Sequence, residues 1–180
     1  CGLTAPGKGW EAIGGALLLG IAGYGLQASP GLSGAPKPAA QQVARDPASL
    51  VEARGRVKGD GPASRSTWVV VADGFARNGQ FANAANVLLS AVEEDPKDGE
   101  AWLALANALV AHADGTVTPA SLYAYGQAEK AEPDSPGPPF FLGLAFAQSG
   151  RFAEARGQWG QLLERSPDDA PWREDIAARL

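Results

Sequence analysis

Methionine is absent from this chain of 180 residues, and cysteine and histidine occur once each. With Cys1 as its single thiol, the chain forms no internal disulfide and carries no Cys-x-x-Cys pair for thiol exchange. Cys1 and His112 alone cannot supply the ligand set of a metal site. The lack of methionine predicts that the sequence is a fragment or a processed form of a longer chain.

Basic charge is scarce as well. Fifteen Lys and Arg residues against 20 Asp and Glu residues give a net charge of −5, so no basic stripe is available for nucleic acid. The neighbouring glycines Gly14 and Gly15 lie in an apolar segment without a P-loop lysine. The carboxylate pairs Glu93-Glu94 and Asp168-Asp169 lie at predicted helix ends, where exposed turn residues explain them. The sequence therefore predicts neither an enzyme nor a bound cofactor.

Segment 12–28 is apolar and uncharged. A helix of this length spans roughly 25 Å, slightly less than a bilayer core of about 30 Å. Trp10 and Tyr24 lie near its ends, where membrane proteins place interfacial aromatic residues. We expect a membrane-spanning segment within 1–28, with the apolar region of a cleaved signal peptide and a buried helix as the two alternatives.

A linker and a short helix are predicted next. Segment 29–46 is punctuated by proline and glycine and reads as a linker. Asp46-Pro47 is a helix start signal, and we expect a short helix within 47–60. Its apolar face is thin, so this helix either docks on the domain that follows or stays mobile.

Segment 136–167 is the clearest copy of a repeated two-helix unit. Gly143 and Ala155 are small where the two helices of the unit approach each other. Large aromatic residues at helical spacing are predicted to be core residues, here and in the earlier copies. They include Trp68, Phe146, Phe152 and Trp159. A hairpin of this kind cannot bury its apolar face alone, so neighbouring copies are required.

The copies recur with a period of 34 residues, as between Trp68 and Trp102. This pattern predicts an all-α fold of three tetratricopeptide-repeat helical hairpins behind an N-terminal transmembrane helix. The repeat domain covers 66–180. Its repeats span about 66–98, 99–135 and 136–169, with a longer turn in the second, and a capping helix covers 171–180. The apolar face of the capping helix is predicted to be Trp172, Ile176 and Leu180.

A stack of such hairpins has a concave groove that is lined by the first helix of each hairpin. The residues predicted to line it as a peptide-binding groove are Val69, Asp73, Arg77, Leu103, Asn107, Val110, Ala111, Phe140, Phe141, Leu144 and Gln148. Arg77 is the only basic residue among them, so the groove lacks a basic clamp for a terminal carboxylate. Aliphatic, aromatic and amide side chains suit an amphipathic helix or an extended apolar peptide.

Four motifs carry a family resemblance: NALVAH over 107–112, TP over 118–119, PPFFLGL over 138–144 and DAPW over 169–172. They resemble the tetratricopeptide subunit of the bacterial cytochrome c maturation system, and the similarity covers about 12–180. The resemblance implies a domain anchored in the bacterial inner membrane and facing the periplasm. It also implies that the domain binds the C-terminal helix of apocytochrome c and presents it to the haem lyase complex.

Two other functions fit the same sequence. An envelope scaffold or adaptor of this architecture would have a peptide or protein client unrelated to cytochromes. An enzyme accessory domain would have its catalytic part before Cys1.

The cytochrome c maturation family normally has a further membrane span before the one predicted here, and its absence fits a processed or partial chain.

Overall fold

Eight helices and no strand occupy residues 47–58 and 66–180, which are the residues that the computed structural model describes. The helices are α1 (Pro47–Lys58), α2 (Thr67–Arg77), α3 (Phe81–Glu94), α4 (Gly99–His112), α5 (Pro119–Ala131), α6 (Gly137–Gln148), α7 (Phe152–Arg165) and α8 (Arg173–Ala177). This confirms the all-α repeat architecture. The predicted transmembrane segment 1–28 and linker 29–46 lie outside the described residues. Within the described part, every helix is too short or too polar to cross a bilayer.

The helix starts follow from local capping chemistry. The Asp98 carboxylate accepts a hydrogen bond from the amide of Ala101 at 2.9 Å and so caps α4. Thr118 and Ser121 form a reciprocal capping box at the start of α5, after the long turn of the second repeat. That turn reverses the chain through Gly115, whose φ of 85° suits glycine.

Helices α2 and α3, α4 and α5, and α6 and α7 pair as three hairpins, and α3 packs on α4 as α5 packs on α6. One buried cluster runs from Val57 through α4 to Ala145. A second cluster surrounds Trp159 and includes Leu162 and Ile176. Each hairpin thus buries its apolar face against the next, as expected for a solenoid of repeats.

The predicted close approach in the third hairpin occurs at Gly143. A Cβ atom on Gly143 would lie 2.3 Å from Nε1 of Trp159, so only glycine fits there. The same indole Nε1 donates a hydrogen bond to the backbone oxygen of Phe140 at 3.1 Å. This bond holds the Trp159 ring against the α6 backbone and fixes the spacing of the hairpin.

The C-terminal end is closed differently from the prediction. Helix α8 is only five residues long, so Ile176 is buried whereas Leu180 lies beyond the last turn and is 43% exposed. The guanidinium of Arg173 donates hydrogen bonds to the backbone oxygens of Leu163 at 2.8 Å and Ser166 at 3.2 Å. These bonds satisfy carbonyls at the end of α7 and anchor the terminal segment.

Two aromatic residues that were predicted to be core, Trp68 and Phe152, are exposed. Trp68 is 41% exposed, and its indole Nε1 donates a hydrogen bond to the Glu94 carboxylate at the end of α3 at 2.7 Å. Phe152 is 63% exposed, because the short α8 follows α7 where a full hairpin would have covered this side chain. The two ends of the stack therefore bury less apolar surface than the middle.

Gly143→Ala is expected to lower the free energy of unfolding by about 1–3 kcal/mol, because the new methyl group overlaps the Trp159 ring. Chemical denaturation followed by circular dichroism measures this change. Gly157→Ala on α7 is the matched control: open space surrounds its Cβ position, so it is expected to raise the free energy of unfolding by about 0.5–1 kcal/mol. An equal effect of both substitutions would contradict the close approach.

Candidate peptide-binding groove

Helix α1 lies across the first helices of the hairpins. It contacts α2 and α6 directly, and its basic side chains reach the start of α4. These are the helices that line the concave side of a repeat stack. The groove predicted as a peptide-binding surface is therefore partly occupied by a helix of the chain itself.

Two acidic residues of the groove pair with two basic residues of α1. The guanidinium of Arg54 donates a hydrogen bond to Asp73 on α2 at 2.5 Å, and its Nε lies 3.8 Å from Oε1 of Glu100 on α4. Lys58 also pairs with Glu100. The side chains of Arg54, Asp73 and Glu100 are 8%, 16% and 14% exposed, so these charges are compensated in a site with little water access.

Apolar contacts of α1 flank the ion pairs. Val51 and Val57 are buried, three residues to either side of Arg54, so the three side chains lie on one face of the helix. Between α1 and the groove there remains a cavity of about 20 Å³, with Leu50, Val51 and Arg54 among its lining. The packing of α1 against the repeats thus leaves a small gap.

The prediction of an open groove is wrong for nearly half of the proposed positions. The buried ones are Val69, Leu103, Asn107, Val110 and Phe141. Asn107 lines the cavity beside α1, Val69 belongs to the main buried cluster, and Leu103 packs against the start of α6, where a Cβ on Gly137 would lie 2.5 Å from it. Phe141 is 2% exposed and belongs to the main core, so Phe141→Asp would report on folding and not on binding.

The other predicted positions retain access to solvent. Asp73 and Ala111 are half-buried, whereas Arg77 is exposed in the last turn of α2. Phe140 and Leu144 are half-buried and Gln148 is exposed; at a spacing of four residues these three form one stripe along α6. This α6 stripe, Phe140, Leu144 and Gln148, is the largest part of the predicted groove that α1 leaves accessible.

Asn107 is a buried polar residue with one unmet donor. Its Oδ1 accepts a hydrogen bond from the hydroxyl of Tyr125 at 2.8 Å, while its Nδ2 has no acceptor among the described residues. Asn107 also lines the cavity beside α1. Burial raises the pKa of the Tyr125 phenol above its usual range, because the phenolate would be poorly solvated there.

Arg54, Lys58 and Glu100 are the groove residues that sequence reasoning missed. The available signal was α1 itself, a predicted short helix whose thin apolar face includes a central arginine. The repeat pattern does not locate its partners, because Arg54 and Asp73 are 19 positions apart in sequence and meet only after the stack has formed.

Two tetratricopeptide repeat family models match the chain, one over residues 65–108 and the other over 118–171. The chain belongs to the tetratricopeptide repeat family. The first match ends within α4 and the second extends from α5 to the segment before α8, so together they cover the three hairpins except residues 109–117.

Two curated relatives are cytochrome c-type biogenesis proteins named CycH. The one from Bradyrhizobium diazoefficiens is 32% identical over 119 residues, which are 66% of this chain and 32% of the relative. The one from Rhizobium meliloti is 33% identical over 111 residues, which are 62% of this chain and 29% of the relative. The chain spans about a third of the length of these relatives. This tetratricopeptide repeat chain is thus related to CycH proteins, which confirms the family resemblance in its sequence.

Tyr125→Phe is expected to lower the free energy of unfolding by about 1–3 kcal/mol at neutral pH, because Oδ1 of Asn107 loses its donor in a buried site. The pKa of Tyr125 is raised in the folded state from 10.0, so the wild type loses stability as the pH rises above that value, where only the unfolded chain releases the proton. The variant lacks this loss, and the difference between the two proteins shrinks at alkaline pH.

Denaturant titrations at neutral pH and above pH 10 measure this convergence. The exposed Tyr123, two residues away, provides the matched control Tyr123→Phe, which removes a hydroxyl that is not buried and is expected to change the free energy of unfolding at neutral pH by less than about 0.5 kcal/mol. A difference between wild type and Tyr125→Phe that stays constant with pH would contradict the assignment.

Proposed function

We propose that this chain is the repeat domain of a cytochrome c maturation factor that binds apocytochrome c through the C-terminal helix of the apoprotein. In this proposal the domain presents the apoprotein to the haem ligation complex and has a binding role without catalysis or a bound cofactor. The two relatives are cytochrome c-type biogenesis proteins, which supports the assignment to cytochrome c biogenesis. The client and the presentation step are what the family resemblance implies, and a groove that accommodates a helix is compatible with such a client.

The observation that carries the proposal is that the concave side of the stack already holds a helix. Helix α1 lies there with one face of aliphatic side chains and paired charges. A surface that accommodates α1 has the width and chemistry for another amphipathic helix, which is one of the recurring modes of peptide recognition. The accessible α6 stripe extends this surface beyond the part that α1 covers.

The proposed location follows from segment 12–28. This segment would anchor the protein in the bacterial inner membrane, and the repeat domain would face the periplasm, where apocytochromes c receive haem. The proposed partners are therefore apocytochrome c, subunits of the haem lyase complex and the membrane itself.

A synthetic C-terminal helix of a c-type apocytochrome, labelled with fluorescein, tests the proposal by anisotropy titration against the full chain. We expect saturable binding, with a proline-substituted version of the same peptide as the non-helical control. The absence of detectable binding at high micromolar concentration would overturn the proposed client and favour a scaffold for an unrelated one.

Phe140→Asp is expected to weaken binding of this peptide by about tenfold, because one aromatic contact with the peptide is lost. A tenfold change in affinity corresponds to about 1.4 kcal/mol. Phe152→Asp introduces the same charge at an aromatic residue that is 63% exposed on α7 and should leave affinity unchanged. Circular dichroism shows whether both variants remain folded. If Phe152→Asp reduces affinity as much as Phe140→Asp, the α6 stripe is not the binding surface.

A further inference from the structure

Helix α1 is bound to the groove by few buried side chains. Its buried side chains are Val51, Arg54 and Val57, while Leu50 and Ala53 are only partly buried. It has 12 residues with Gly55 near its middle, and helices this short are marginal in water without tertiary contacts. Its helical state therefore depends on docking, which involves the apolar contacts of Val51 and Val57 and the pairing of Arg54 with Asp73 and Glu100.

The groove presents a hydrogen-bond donor that α1 does not satisfy. Asn107 Nδ2 has no acceptor among the described residues, although Asn107 is only 6% exposed. The α1 side chains at the adjoining cavity are Leu50, Val51 and Arg54, none of which offers an acceptor. The cavity of about 20 Å³ is close to the volume that one small polar group or one water needs. The groove thus accommodates a better-matched helix than the one that occupies it.

We propose that α1 is an exchangeable stand-in for the client helix, and that the client carries an arginine or lysine that replaces Arg54 at Asp73 and Glu100. This inference rests on the proposed function and specifies its partner as a basic amphipathic helix. Aliphatic residues flank the cation by about three positions on either side, as Val51 and Val57 flank Arg54. An amide or hydroxyl oxygen of the client accepts the unmet hydrogen bond from Asn107.

The exchange is a competition within one molecule. Residues 59–65 connect α1 to the first repeat, and so short a connection keeps α1 at a high local concentration beside the groove. A client must outcompete this tethered helix, so peptides with a weak charge or shape match are rejected. Displacement exposes the α1 backbone to solvent, which makes the exchange observable by amide hydrogen exchange over 47–58.

Arg54→Glu in the full chain tests the competition. The introduced carboxylate would face Asp73 and Glu100, and the repulsion between like charges would displace α1. The matched control is Arg56→Glu, the same charge change at an exposed residue of α1 that makes none of these ion pairs. Val57→Asp is a second way to weaken docking, through the apolar contact instead of the charge. Thermal denaturation by circular dichroism establishes that the repeats remain folded in all three variants.

The first probe is a fluorescein-labelled peptide with the sequence of residues 47–58, which is independent of any cytochrome. It is expected to bind Arg54→Glu and Val57→Asp at least about tenfold more tightly than the wild type or Arg56→Glu. A version of the peptide with glutamate in place of Arg54 should not bind. Equal binding of the native peptide to all four proteins would overturn the inference.

The second probe is the apocytochrome helix used above. We expect Arg54→Glu to bind it about tenfold more tightly than the wild type, and we expect the peptide to abolish hydrogen-exchange protection over 47–58 in the wild type. Equal affinity with unchanged protection would overturn the exchange and leave the proposed client intact. Binding of the 47–58 peptide without any binding of the apocytochrome helix would support the exchangeable groove and overturn the proposed client.

Discussion

Burial of α4 is the constraint on which the rest of the described structure depends. Nine of the twelve residues from Gly99 to Val110 are buried, because α3 and α5 pack on this helix and the first helices of the flanking hairpins contact it as well. A helix that is apolar on most of its circumference is stable only when other elements surround it. The three hairpins therefore stabilise each other, and α4 is the position where their contributions meet.

The same helix connects the scaffold to the groove. Glu100 in its first turn forms ion pairs with the basic side chains of α1. Asn107 in its middle accepts a hydrogen bond from Tyr125 on α5. The polar groups of the groove are thus positioned by the helix of the described stack that has the most buried residues. A ligand that binds between α2 and α6 meets charges and amides whose positions are set by core packing, which reduces the cost of ordering them.

Much of the architecture was accessible from spacing alone. The 34-residue interval between Trp68 and Trp102 indicated the repeats, and the small residue at position 143 indicated where Trp159 approaches α6. The predictions failed where they depended on what lies beside a helix. Phe152 has the spacing of a core residue and is exposed, because burial depends on whether a neighbouring hairpin follows it.

The candidate site also has features that follow from residue spacing and features that depend on which helices lie next to each other. The sequence by itself determined that first helices with aliphatic, aromatic and amide residues line a groove, because the helical period decides which side chains share a face. Only the tertiary structure decided that Asp73 and Glu100 each pair with Arg54, that Phe141 belongs to the core and that α1 lies in the groove. The ion pair of Arg54 with Asp73 joins residues 19 positions apart, and a periodic pattern carries no information about such a contact until the chain has folded.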